Sequence, residues 1–209
     1  MSRIKRHKIN SEVARPEKKD RNASKRKMWT IILGAIMVFS VFGIMLSSYT
    51  SEQDSAVYKG YKFERTATGW VTEIAGKKAS FYYLPEDLEK MDIAPEIKSL
   101  AESKVVYITL NPAAKRIEQF ELMRFELSES MNSLFGIYSM PGITQESEQY
   151  TQPIVTCGNS TEMMPVIALS EANETRAYTD GSCIVLEADA YSSNALKDRV
   201  LYSMLGILD

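Results

Sequence analysis

The residues with the plainest chemistry in this sequence are its two cysteines, Cys157 and Cys183. Both stand at the ends of short β-prone runs, "PIVTC" and "SCIVLEA". An even cysteine count in a segment held outside the cytoplasm makes a disulfide the default, with two buried free thiols as the simpler alternative. Their spacing is not C-x-x-C and no histidine neighbours either, so a redox or nucleophilic pair is not signalled. The same region carries two N-x-S/T acceptor sequences, Asn159-Ser160-Thr161 and Asn173-Glu174-Thr175, in polar turns. Glycosylation of Asn159 or Asn173 is chemically open to a host that has the transferase. A third such triplet, Asn22-Ala23-Ser24, lies near the N-terminus on the opposite side of an apolar run.

The rest of the reactive inventory is thin. The single histidine is His7, so Ser-His-Asp and Cys-His catalysis, H-E-x-x-H sites and histidine-ligated metals are absent from everything after it. Neither G-x-x-x-x-G-K-[ST] nor G-x-G-x-x-G occurs, so no phosphate-cradling loop is signalled. S-x-x-K spacing is confined to Ser2–Lys5 and Ser24–Lys27, where basic composition explains it. No catalytic residue, cofactor-binding residue or metal ligand is therefore assigned. Carboxylates are plentiful, among them Glu86, Asp87, Glu187, Asp189 and Asp198. A pair of these would suit a carboxylate-dependent hydrolase or glycan-acting enzyme, but abundant acids are more simply solvated. Asp198-Arg199 reads either as a partner-docking contact or, more simply, as an exposed helix face.

The elements that must position these residues begin with an apolar run. From Trp29 to Tyr49 there is neither a charge nor a proline. A helix of that length covers about 31 Å, against a hydrocarbon core of about 30 Å. Trp29 and Tyr49 mark its two membrane interfaces. Lys19, Arg21, Lys25, Arg26 and Lys27 precede it, while Glu52, Asp54 and one lysine, Lys59, follow. The positive-inside tendency places the N-terminus in the cytoplasm and the C-terminal part outside. A cleaved signal peptide is the alternative, but its apolar region is usually about 7 to 15 residues. Gly43 and Ser47 form a small-xxx-small pair that could support helix contact.

Residues 1–28 carry eleven Lys/Arg against Glu12, Glu17 and Asp20, a net +8, and the remainder carries −10. The basic tail, without apolar periodicity, reads as disordered and as a topology determinant. Anionic lipid or an acidic partner such as a ribosome is a further possibility for it. The acidic remainder argues against nucleic acid there, since phosphate contacts need a basic surface. After a polar stalk over 50–57, residues 58–209 suit one compact domain.

In that domain "WVTEI" and "ASFYYL" flank the turn signal "AGKK" and read as strands. Tyr61, Phe63, Trp70, Phe81 and Tyr83 suit the inner face of a sheet, or a sugar- or peptide-binding platform. "PEDLEKMDIAPEIKSLAES" reads as a helical stretch broken at Pro95. "KVVYITL" reads as a buried strand, and Asn111-Pro112 as the start of a helix over "AAKRIEQFELMRFELSES". That helix has an apolar stripe of Ile117, Phe120, Leu127 and Met131 and a solvated face with Glu118, Glu121, Arg124 and Glu129. "SLFGIYSM", "PIVTC", "MPVIALS" and "SCIVLEA" read as strands, with Pro141-Gly142 ending the first. "SSNALKDRVLYSMLGILD" reads as a terminal helix packed on the sheet through Leu196, Val200, Met204 and Leu205, capped at Ser192 or Ser193.

The run "PIVTCGNSTEMMPVIALSEANETRAYTDGSCIVLEA…LKDRVLYSMLGIL", with "GYKF…GW…GKKASFYYLP" before it, resembles small archaeal single-pass membrane proteins without an assigned activity. The resemblance covers most of residues 58–209 and rests on structural residues. It implies an archaeal surface location and adds mild support for the disulfide and for glycosylation.

The expected architecture is a single transmembrane helix over 29–49, followed by an α+β (mixed α/β) globular domain. That domain is expected to have a mostly β C-terminal half and a terminal helix. The expected function is a membrane-anchored extracytoplasmic binding or scaffolding protein. Its partners would be the lipid bilayer through 29–49 and an envelope or secreted protein, and a membrane-tethered carboxylate enzyme is the rival reading.

Overall fold

The structure is a computed structural model that describes residues 21–49, 54–189 and 191–209. The chain divides into two compact units, residues 1–52 and 53–209. In the first, helix α1 (Arg21–Tyr49) begins eight residues before the apolar run. Its described side chains run from Lys25 to Phe42. Among the described residues no helix is long and apolar enough to cross a membrane. This overturns the expected transmembrane helix over 29–49. Trp29 is an exposed residue of α1. The side chain of Tyr49, the expected second interface residue, and the tail over 1–20 lie outside the described residues, as does His7.

The second unit has two sheets. The expected stalk does not persist to residue 57, because Ser55–Tyr58 is already strand β1. It pairs with β2 (Tyr61–Thr66), which continues through β3 (Gly69–Ile74) and β4 (Lys77–Phe81) as an antiparallel meander. The β3–β4 hairpin closes on two residues, Ala75 and Gly76, both at positive φ, the twist that matches antiparallel strands. Phe63, Thr72 and Ala79 are cross-strand partners on the inward face.

The chain then passes through the short α2 (Pro85–Leu88) and a 3-10 helix, Pro95–Glu102. The second sheet has the order β6-β5-β7-β9-β8. Its strands are β5 (Val105–Leu110), β6 (Tyr138–Ile143), β7 (Val166–Glu171), β8 (Arg176–Asp180) and β9 (Cys183–Ala188). All neighbours are parallel except the β8–β9 hairpin. Helix α3 (Ile117–Phe135) connects β5 to β6, and α4 (Ser193–Met204) follows β9.

Helices α3 and α4 fill the space between the sheets. Helix α3 touches β4 on one side and β5 and β6 on the other, and α4 touches α3, β8 and β9. On its other side α4 presents Tyr202, whose ring stacks on Phe81 at 4.2 Å and meets Phe63 edge-on at 6.1 Å. Burying such a ring contributes about 2 kcal/mol or more. The α+β class is thus observed, with strands β7–β9 and a terminal helix in the C-terminal part.

The second sheet is covered on both faces, which is why "VVYITL" lacks clean alternation. Val106, Ile108 and Leu110 face the helices. Tyr107, Ala168 and Val185 face the opposite way, against Val155, Val166, Cys183 and Cys157. The cover on this far side belongs to residues 144–165. Here "PIVTC" is not a strand: it makes one isolated bridge, Ile143–Ile154, and leads into a 3-10 turn at Cys157–Asn159. Pro141 sits inside β6 rather than ending it, at a sheet edge where a missing N–H is tolerated. Ser133–Phe135, expected to begin that strand, complete α3.

Cys157 and Cys183 form a disulfide that ties this cover to β9. It closes a loop with a sequence separation of 26, worth up to roughly 3.5 kcal/mol of unfolded-state entropy. The double substitution Cys157→Ser, Cys183→Ser is expected to lower the unfolding free energy by about 2 to 3.5 kcal/mol. Urea titrations of the variant and of the oxidised chain measure the difference.

Candidate functional site

Of the carboxylates singled out from the sequence, only Asp87 and Asp198 come together, accepting successive N–H groups of the segment 82–84. Asp87 accepts the Leu84 N–H at the start of α2. Glu187 is held by Arg176 and the Tyr178 hydroxyl. Asp189 accepts the N–H groups of Tyr191 and Ser192 ahead of α4, and these bonds lower its pKa. Glu86 is exposed. Asn159 is exposed, but its Oδ1 caps the turn by accepting the Thr156 N–H. Asn173 is exposed in the β7–β8 connection. Among the described residues no group of three or more His, Cys, Asp or Glu side chains could hold a metal ion.

The pair Asp198-Arg199, read as an exposed helix face, is buried. Helix α4 is enclosed from Ala195 to Met204, with Lys197, Asp198 and Arg199 at 3 %, 0 % and 3 % exposure. Helix α4, unlike α3, has no free face, so its polar groups are desolvated and need partners inside, which Arg199 Nε and Nη1 lack. Arg199 donates through Nη2 to the Asp209 carbonyl, and burial lowers its pKa.

Asp198 has the more consequential role. Its Oδ2 accepts the N–H groups of Tyr82, at 2.6 Å, and Tyr83, at 3.1 Å. These two residues follow the last paired residue of β4, so no ladder partner remains for their N–H groups. Lys197 Nζ lies 3.3 Å from Oδ1 as an ion pair. The same ammonium donates to Glu126 Oε2 at 2.7 Å and sits 4.5 Å from the centre of the Tyr82 ring. The Tyr82 hydroxyl donates to Glu126 Oε1 at 2.6 Å. That bond, with burial second, pushes its pKa to about 12.

This network forms one wall of a cleft of about 250 Å³ between the first sheet and α3. Trp70, Tyr82 and Phe125 give it aromatic surface, and Glu126, Glu129 and Lys197 are its charged side chains. Gly69 lets the β3 backbone approach β4 there. Its φ is +150° and a Cβ would stand 2.2 Å from the Phe81 carbonyl oxygen, so no other residue fits. Of the five aromatics marked in the sequence, Phe63 and Phe81 are core, while Trp70 is half-buried and borders the cleft.

Tyr82, Phe125, Glu126 and Lys197 escaped the sequence reading. A signal did exist: Leu122 and Phe125 are large apolar residues on α3 outside its buried stripe of Phe120, Met123, Leu127 and Met131. No known family, characterised protein or solved structure matches this chain.

Burial pushes the Asp198 pKa up from 3.8 to about 6, against the opposing pull of Lys197 and the two backbone N–H groups. Between pH 4 and 6 the folded state thus retains a proton that the unfolded chain has released. Stability from this group therefore rises as pH falls through 6 towards 4, and its penalty is complete above that window. Relative to Asp198→Asn, the wild-type chain is expected to gain up to about 3 kcal/mol between pH 7 and pH 4. Paired denaturation curves across that range test it, and a constant difference refutes the assignment.

Proposed function

We propose that residues 53–209 form an extracytoplasmic binding domain that recognises an envelope or secreted protein through the Trp70–Tyr82–Phe125 cleft. The observation that carries this reading is the cleft itself. Aromatic surface lies beside a polar wall whose side chains are already locked by their own hydrogen bonds, so little must be ordered when a ligand arrives. The Cys157–Cys183 disulfide supports an oxidising compartment. An archaeal cell surface, implied by the sequence resemblance, belongs to the same proposal.

A carboxylate-dependent enzyme is the rival, and its natural pair would be Glu126 and Glu129, the two acids that share the cleft. Both oxygens of Glu126 are held, one by Tyr82 and one by Lys197. An acid fixed in this way supports recognition better than proton transfer to a substrate.

Phe125 is 63 % exposed, so its truncation should change folding stability by no more than about 0.5 kcal/mol. As a central anchor it should matter far more to binding. A photocrosslinker at position 125 is expected to capture one discrete envelope or secreted protein in the native host. The purified partner should then bind Phe125→Ala about 30-fold more weakly than wild type. Equal affinity of the two, with unchanged melting, would remove the cleft from the recognition surface.

A further inference from the structure

We propose that the cleft and the adjoining face of α3 take an arginine- or lysine-bearing segment of the partner, with its cationic side chain placed over Phe125 and paired with Glu129. This rests on the binding role proposed above and adds the chemistry of what is bound.

The first argument is charge. Residues 53–209 contain fourteen Lys/Arg and twenty-three Asp/Glu, a net −9. Three cations border this surface, Lys197, Arg124 and Arg65, and the first two are matched by carboxylates of the chain. Lys197 is held by Glu126, Asp198 and the Tyr82 ring. Arg124 is held by Glu121 and also donates to the Gly142 carbonyl. Glu129, exposed on the cleft rim, makes no ion pair among the described residues. An anion entering here would meet one unpaired cation among the described residues, Arg65, set over Trp70, whereas a cation over Phe125 would meet the unmatched Glu129 carboxylate.

The second argument is helical geometry. Phe125 and Glu129 are four residues apart on α3, which makes them neighbours on one face. Extending the stripe towards the N-terminus gives Leu122 and Glu118, both exposed. The resulting order is acid, leucine, phenylalanine, acid, complementary to a segment that alternates basic and apolar side chains. Phe125 also borders a second cavity of about 230 Å³, lined by Arg124, Ser128, Met140 and Pro141. The ring therefore stands as a ridge between two hollows.

The third argument is internal precedent. Two other aromatic rings of this cleft already hold cations of the chain itself. The Arg65 guanidinium lies 5.0 Å from the centre of Trp70, and Lys197 lies 4.5 Å from that of Tyr82. The Phe125 ring is the more exposed one, and none of the cation–ring contacts among the described residues involves it. A guanidinium over that ring, bonded to Glu129, combines the two attractions in one group.

The test uses the full-length chain with Trp29→Phe, so that Trp70 is the only indole reporter. It is titrated with acetyl-Gly-Arg-Leu-Gly-Arg-amide and with the same peptide carrying citrulline, a neutral near-isostere, for arginine. The expected result is saturable change with the arginine peptide and affinity about tenfold lower for the citrulline peptide. Glu129→Gln and Phe125→Ala should each weaken arginine-peptide binding several-fold, while Glu174→Gln, on the remote β7–β8 connection, should not. Equal binding of the two peptides, or binding of methyl β-glucoside alone, overturns the cationic assignment and leaves the cleft as a binding site. If no probe binds but Phe125→Ala still weakens the crosslinked partner, the cationic assignment alone fails. If that partner also binds Phe125→Ala normally, the binding role fails with it.

Discussion

The second unit depends on one carboxylate. Asp198, fully enclosed in α4, takes the two N–H groups that the first sheet leaves unpaired as the chain departs from β4. It fixes where that sheet ends relative to the helix, and it holds Lys197 beside it. Lys197 in turn orients Glu126, which receives the Tyr82 hydroxyl. Core packing and cleft wall are therefore parts of one hydrogen-bonded chain. Burying these ions costs several kcal/mol apiece, and for Asp198 the two N–H groups and Lys197 offset only part of it. Apolar residues of similar volume would fill the space but leave the Tyr82 and Tyr83 N–H groups without acceptors.

Placing the helices between two sheets has a further consequence. Each sheet supplies an apolar face, so α4 must satisfy both at once and has no side for solvent. Its Tyr202 reaches Phe63 and Phe81 and donates its hydroxyl to the Tyr83 carbonyl. The exit segment of β4 is thus gripped at two successive backbone amides and at a carbonyl. On the far side of the second sheet the described cover is the segment 144–165, irregular apart from its 3-10 turn at Cys157–Asn159. Covalent attachment through Cys157–Cys183 and the Thr109 hydroxyl bond to the Val155 carbonyl hold it there. The cleft lies at the first-sheet side of the helical layer, where α3 exposes Phe125 beside Trp70.

Much of the element order was legible because it is written in local chemistry. The hairpin at Ala75-Gly76, the buried run at Val105–Leu110 and the terminal helix after Ser192 follow from turn residues, β-branching and helical spacing. Misreadings arose where neighbours distant in sequence overrode local preference. "PIVTC" has strand propensity, yet Thr109 and the disulfide engage its backbone and side chains in place of a continuous ladder. Pro141 would end a central strand, but β6 is an edge. The apolar run from Trp29 is helical as expected, but among the described residues no helix is long and apolar enough to cross a membrane.

The sequence by itself determined the α+β class, the cysteine pair and the acidic balance of the second unit. These depend on composition, spacing and residue counts, none of which needs the fold. Only the tertiary structure decided that Lys197 and Asp198 are interior, because "LKDRVLY" reads the same on an exposed helix as on an enclosed one. It also brought Trp70, Tyr82, Phe125 and Glu129 to one cleft from three separate elements. No periodicity carries that information, since burial of a charge is set by what lies across from it rather than by what lies beside it in the chain.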